Sequence, residues 1–372
     1  MSSSSDSLTT SIVTACILKP AKALSLAPIQ VADLVLILRS EKLLARFALR
    51  AQETNVIEEF SPSIRRQLYN AIDLASIQRN QVQNEAALLK TELARFSDVC
   101  IFLKGAAYTL AGLKCSQGRT YSDIDILTLK ESLSIIEKRM LFSGWLSQPI
   151  SDYDQKYYRQ WAHEIPPLIH AKRKTVIDVH HNLVPPVSGR APDISYFLQQ
   201  IESRNGFDVL SPAGMVLHSA IHLVFNEDFG SSFRDMFDIH FLIEECQSSN
   251  FWQSLYELAE KSGFANELFL ALRYTQKYIG TSLPDEVNAL TSYGPLRLRF
   301  LDSTVGIALA PKHALCHVDN RGLASFLAYC RGHILKMPMH ILIYHTVVKS
   351  TRALFESVFG KHVFLSKENR VR

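Results

Sequence analysis

Apolar side chains recur at steps of three and four between residues 28 and 97, as in VADLVLILRSEKLLARFALRAQ and IRRQLYNAIDLASIQRNQVQNEAALLKTELARF. That period lays an apolar stripe along a helix, so a helical region is expected here. Ser61, Pro62 and Ser63 stand between the two blocks as breaker and capping residues. The second block then runs without Gly or Pro, which predicts one extended helix. Short β-rich runs follow: VCIFL at 99–103, DIDILTL at 123–129 and TVIDVHH at 175–181, with amphipathic stretches such as SLSIIEKRMLFSG at 132–144 between them. Pro185, Pro186, Gly189 and Pro192 close this segment, and from about residue 196 helical periodicity returns, interrupted before Pro212, Pro284, Pro295, Pro311 and Pro338.

The pattern predicts an α/β (α+β) protein in parts: a flexible N-terminus over 1–27, a helical region over 28–97, a core with a mixed sheet over 98–190 and a C-terminal helical domain over 191–372. The 372 residues exceed one core of ordinary size, and 47% hydrophobic with 20% charged residues is globular composition. A formal charge of +4 is far from the basic excess of a dedicated nucleic-acid binder, and no DNA-binding motif is present. Six scattered cysteines without a CxxC pair point to neither a zinc ribbon nor a disulfide framework, and a reducing cytoplasm is the expected compartment. No signal peptide is expected, and MHILIYHTVV at 339–348 is about half of a membrane span, so no transmembrane segment is expected.

The chemistry concentrates in FLKGAAYTLAGLKCSQGRTYSDIDILTL, residues 102–129. On a strand Asp123 and Asp125 project from one face while Ile124 and Ile126 point to the other. Two carboxylates so close repel unless a cation lies between them, and Mg²⁺, a hard cation often completed by phosphate oxygens, suits them. Upstream, Lys104, Gly105 and Ala106 form a turn from strand to helix, with the helix expected from Ala106. A glycine there lets a phosphate approach backbone N–H groups at a helix N-terminus. Asp178, in TVIDVHH, is a third carboxylate that can complete a two-metal clamp or accept a proton if its strand lies beside the first.

These residues resemble the nucleotidyltransferase superfamily that shares the DNA polymerase β catalytic fold. More narrowly, the LKGAA turn, the SDIDIL strand and VIDVHHNLVPP resemble a bacterial family of uncharacterised nucleotidyltransferases often encoded among polysaccharide biosynthesis genes, over roughly residues 25–245. The resemblance implies transfer of a nucleoside monophosphate from an NTP to an acceptor with release of pyrophosphate, using Mg²⁺ or Mn²⁺. It places Gly105 at the phosphate turn, Asp123 and Asp125 as metal ligands and Asp178 as the third carboxylate; Lys104, beside that turn, reads as an orienting or surface residue rather than an essential one. One departure is Ala106, where the wider superfamily usually has a serine whose hydroxyl helps to bind phosphate. A second likeness lies in SSFRDMFDIHFLI (231–243), comparable with a helix of toxin-type nucleotidyltransferases: Arg234 is the candidate nucleotide contact, oriented by Asp235 or Asp238, and Arg119 is a further candidate for triphosphate oxygens.

Plainer readings stand beside these. Asp178 can be a capping residue, and Arg234 with Asp235 and Asp238 an intrahelical ion-pair set. His180, His181, His218 and His222 read as packing or hydrogen-bonding histidines, since no glutamate joins them in a zinc motif. Lys172, Arg173 and Lys174 read as a hairpin turn. The acceptor, whether sugar, polysaccharide, RNA or protein, has no motif, and a nucleotide-binding regulator with weak catalysis or a toxin-type enzyme acting on tRNA or protein are the alternatives.

Overall fold

The computed structural model describes residues 7–97, 99–147 and 150–360. Helices Pro28–Ser40 and Leu44–Glu53 precede a single helix, Pro62–Leu93, of 32 residues, as the unbroken periodicity predicts. Its buried stripe, Ile64, Leu68, Ala75, Val82, Ala86, Leu89 and Leu93, is the apolar face read from the sequence.

Seven strands form one mixed sheet: β1 (Ile101–Phe102), β2 (Ile124–Leu127), β3 (Trp145–Ser147), β4 (Leu168–His170), β5 (Val176–His180), β6 (Ile201–Arg204) and β7 (Phe207–Leu210). Their order across the sheet is β3-β4-β5-β2-β1-β7-β6. The central pair, β2 and β5, is parallel, and its register sets Asp125 beside Asp178 and Ile126 beside Val179. All four residues of β2 are buried, including Asp125. A strand covered on both faces spares a position for a carboxylate only where the carboxylate has a partner or a task.

Two expectations about the chain's organisation are corrected. Strands continue past residue 196, because β6 and β7 form a hairpin on the far edge of the same sheet. Its signal was in the sequence: Asn205 and Gly206 both have positive φ, at 52° and 79°, as a two-residue turn between twisted strands demands. The N-terminal segment expected to be flexible is, from Leu8 onward, built in: helix Thr10–Leu18 buries Val13, Cys16 and Ile17, and Leu8–Thr9 pairs with Cys316–His317. The serine-rich residues 1–6 lie outside the described residues.

Beyond the hairpin, helices Pro212–Phe225, Ser232–Cys246, Ser249–Ser262 and Ala265–Ile279 pack together, with almost every residue of Pro212–Phe225 buried. The turn at Lys172 to Lys174 joins antiparallel β4 and β5, as expected. Arg173 there reaches the long helix, donating from Nη2 to Glu85 Oε1 at 2.6 Å. No described helix is long and apolar enough to cross a membrane.

Candidate functional site

β1 runs into the LKG turn, and the helix that follows spans Lys104–Leu110, starting two residues before the expected Ala106. Lys104 opens it in the left-handed region, with φ +46°. A side chain in that region carries roughly 1–3 kcal/mol of strain that surrounding contacts must hold, and such strain gathers at functional sites. The contact that holds it is visible: Lys104 Nζ donates to Asp125 Oδ1 at 2.8 Å. Gly105 has a further reason to be glycine beside the phosphate approach the sequence suggests. A Cβ at this position would overlap the guanidinium of Arg119.

The two neighbouring carboxylates of β2 and β5 behave oppositely. Burial alone would raise the pKa of Asp125, but Lys104 and His180 outweigh it and hold the carboxyl well below the usual carboxylate range. His180 Nε2 lies 3.0 Å from the same Oδ1. Asp178 is pushed up to about 7 by burial, then by the charges of Asp125 and Glu164. Its Oδ1 is buried without a hydrogen-bond partner. Asp123 stands one residue ahead of β2, and it lines one cavity with both other aspartates.

Basic residues face this edge of the sheet. A cavity of about 240 Å³ is bounded by Asp123 and Asp125, by the Lys104, Gly105 and Ala106 turn, and by Lys42, Arg119 and Arg234. Arg119 is almost wholly buried and held by Asp238, whose Oδ2 accepts from its Nε at 2.9 Å. The Tyr108 and Tyr121 rings lie 5.8 and 5.5 Å from its guanidinium carbon. Asp238 also accepts from Arg46 Nη2 at 2.7 Å. This separates the two acids of the RDMFD sequence: Asp235 orients Arg234, at 3.0 Å to Nε and 2.7 Å to Nη2, whereas Asp238 faces the other way and clamps Arg46 and Arg119. Positions three apart on a helix share a face only approximately, and the direction of the side chain decided which arginine each acid meets.

A second cavity, of about 260 Å³, shares Lys104, Asp123, Asp125, His222 and Asn226 with the first and extends to Asp178, His163, Glu164 and His180. Asp123 and Asp125 thus line two adjoining spaces, one shared with Lys42, Arg119 and Arg234 and one with Asp178, Glu164, His163, His180, Lys336 and the apolar Leu183, Val184 and Phe225. His180, read as a packing or hydrogen-bonding residue, is a hydrogen-bonding one, and burial's tendency to lower its pKa is outweighed by Asp125 and Glu164, which raise it. Lys42, His163 and Glu164 carried no signal in the sequence reading. Lys42 belongs to a turn between helices, with φ 59°, and HEIPP reads as an ordinary loop until the bridge between Glu164 and His180 seats it against β5.

The site thus combines a parallel strand pair that sets Asp125 beside Asp178 with an adjoining pocket lined by Lys42, Arg119 and Arg234. The profile of the uncharacterised nucleotidyltransferase family matches residues 27–280, more than half of the chain, and the protein belongs to that family. No curated protein and no solved structure gives a significant match. Membership supports nucleotidyl transfer with an NTP as the substrate.

Proposed function

We propose that the protein moves a nucleoside monophosphate from a divalent-metal NTP to an acceptor, releasing pyrophosphate, with the triphosphate in the pocket walled by Lys42, Arg119 and Arg234. The observation that carries this reading is the convergence of Asp123 and Asp125 with those cations and the Gly105 turn on one cavity. Arg119 meets triphosphate oxygens, Arg234 is steered by Asp235, and the backbone at Gly105 and Ala106 receives phosphate where no serine hydroxyl is present.

Asp123, Asp125 and Asp178 would hold Mg²⁺ or Mn²⁺. The fit rests on Asp178: a buried carboxylate oxygen without a partner, next to an ionised Asp125, is the arrangement that a cation relieves. Bound there, the metal supplies neutralisation of triphosphate charge and of charge developing at the α-phosphorus. Lys104 Nζ donates to Asp125 Oδ1 at 2.8 Å and so fixes the orientation of that carboxylate. Taking the acceptor's proton is the alternative role for Asp178, in place of ligating the metal.

Calorimetry with each of the four NTPs and Mg²⁺, on the wild type and on Asp123→Ala with Asp125→Ala, tests the site. Metal-dependent binding in the wild type that vanishes in the double variant is expected, with pyrophosphate release followed in the same samples. Binding of none of the four by a folded wild type would remove the reading. A slow or non-catalytic nucleotide sensor is the second reading, favoured by Lys104 lying on Asp125 and by Ala106; binding without pyrophosphate release would select it. Glycosyl acceptors, RNA and proteins are the acceptor classes to compare in that assay. The free cysteines, three of them buried, favour a reducing compartment such as the cytoplasm.

A further inference from the structure

We infer that His163, Glu164 and His180 form a separate site for a borderline divalent transition metal of the Zn²⁺ class. One ligand atom from each of the three lies within 4.8 Å of the others. Two imidazoles and one carboxylate are a donor set that Zn²⁺ and its neighbours accept and that Mg²⁺, which prefers oxygen, does not. Three protein ligands leave one tetrahedral position for a water or an acceptor oxygen, the pattern of reactive rather than structural metal sites.

The geometry around His180 supplies the independent support. Its Nε2 lies 3.0 Å from Oδ1 of Asp125, and an ionised carboxylate can only accept, so Nε2 carries the hydrogen. Nδ1 then faces Glu164 Oε2 at 3.3 Å. Two ligands about 2.05 Å from a tetrahedral metal stand about 3.3 Å apart, the separation found between these two atoms. The third ligand agrees: His163 Nδ1 is buried without a hydrogen-bond partner, and its ring centroid is 5.3 Å from that of His180.

Backbone bonds make the set rigid. Ile165 N–H donates to Val179 O at 3.1 Å and His181 N–H to His163 O at 2.8 Å, which pins His163 and Glu164 against β5. A carboxylate on the far nitrogen of a metal-bound imidazole is the usual device for orienting it, and here that carboxylate is Asp125. The aspartate at the triphosphate pocket would therefore also position the second metal's histidine, coupling the two cavities.

The test uses the full chain, stripped with chelator and titrated with Co²⁺, followed by its visible ligand-field absorption, and with Zn²⁺, followed by metal content after dialysis. One equivalent of either is expected in the wild type, retained in excess Mg²⁺. Stoichiometric binding should be lost in His163→Ala and in Glu164→Gln, persist in Asp123→Ala, and weaken about 10- to 100-fold in Asp125→Asn. Circular dichroism of each variant separates loss of binding from loss of folding, and Glu164→Gln, nearly isosteric, stands in should His163→Ala not fold. A wild type that retains no stoichiometric Co²⁺ or Zn²⁺ overturns the site and leaves a proton between His180 and Glu164, whatever the variants do. Equal binding by wild type and folded Glu164→Gln overturns it as well. NTP binding with Mg²⁺ is measured separately, so failure here leaves the nucleotidyl-transfer reading standing, and the reverse.

Discussion

Asp238 is the residue whose removal should be felt most widely, because one buried carboxylate neutralises two buried guanidiniums. Side-chain exposure is 3% for Asp238, 4% for Arg46 and 8% for Arg119, with contacts of 2.7 and 2.9 Å. Water cannot replace the lost acid at these depths. Arg46 keeps Cys115 O at 2.5 Å from Nη2, but its Nη1 is already without a partner. Breaking one buried pair by deleting a partner costs about 3–5 kcal/mol. Both pairs share the same carboxylate, so the two losses do not simply add, and Asp238→Ala is expected to destabilise the protein by about 3–5 kcal/mol. Asp238→Asn, which keeps one acceptor oxygen but turns an amide donor toward the other arginine, should fall between. Urea denaturation followed by tryptophan fluorescence reads the stability, and calorimetry under native conditions reads NTP affinity, which should fall with the loss of Arg119's clamp. Adding Arg46→Met to Asp238→Ala should recover part of the stability and none of the affinity, since of these two arginines only Arg119 lines the proposed triphosphate pocket. A loss below about 1 kcal/mol in Asp238→Ala would refute the buried-charge reasoning.

Three other outcomes follow from the same geometry. Gly105→Ala should drive a methyl group into the clamped Arg119 guanidinium, lowering stability by about 1–3 kcal/mol in a thermal melt and weakening NTP binding measurably in calorimetry. In metal-free protein Asp178 keeps a proton that the unfolded chain releases near pH 4, so its own contribution to stability is fully present at low pH and is lost as pH rises through about 7. Asp178→Asn should therefore be increasingly more stable than wild type from pH 4 to 8, by at most about 4 kcal/mol at the upper end, in chelator-treated samples, while pyrophosphate release is abolished; a pH-independent difference would contradict the assigned shift. Glu85→Ala should loosen the hairpin turn carrying Arg173 from the long helix, with a stability loss of about 1–3 kcal/mol and little change in nucleotide affinity.

Periodicity alone determined the helical stretches, because a stripe of Ile, Leu and Val at 3.6-residue spacing has one economical way to be buried: the 32-residue helix was readable to within a residue or two of its start. Local pattern also determined that VIDVH and IDIL are strands and that their aspartates are out of place in apolar runs. The Asn205-Gly206 hairpin is equally local, but the alternation around it, Ile201 to Leu210, is diluted by Glu202, Arg204 and Asp208 at a half-exposed sheet edge. Tertiary structure decided the rest. Strand register, which no local pattern specifies, set Asp125 beside Asp178 and gave two chemically equivalent carboxyls opposite proton affinities. Side-chain direction sent Asp238 to Arg46 and Arg119, 192 and 119 residues away along the chain, rather than to Arg234 four residues before it. Gly105 shows the limit most plainly: its motif marks a turn, but the atom that forbids a side chain there belongs to an arginine that only folding brings against it.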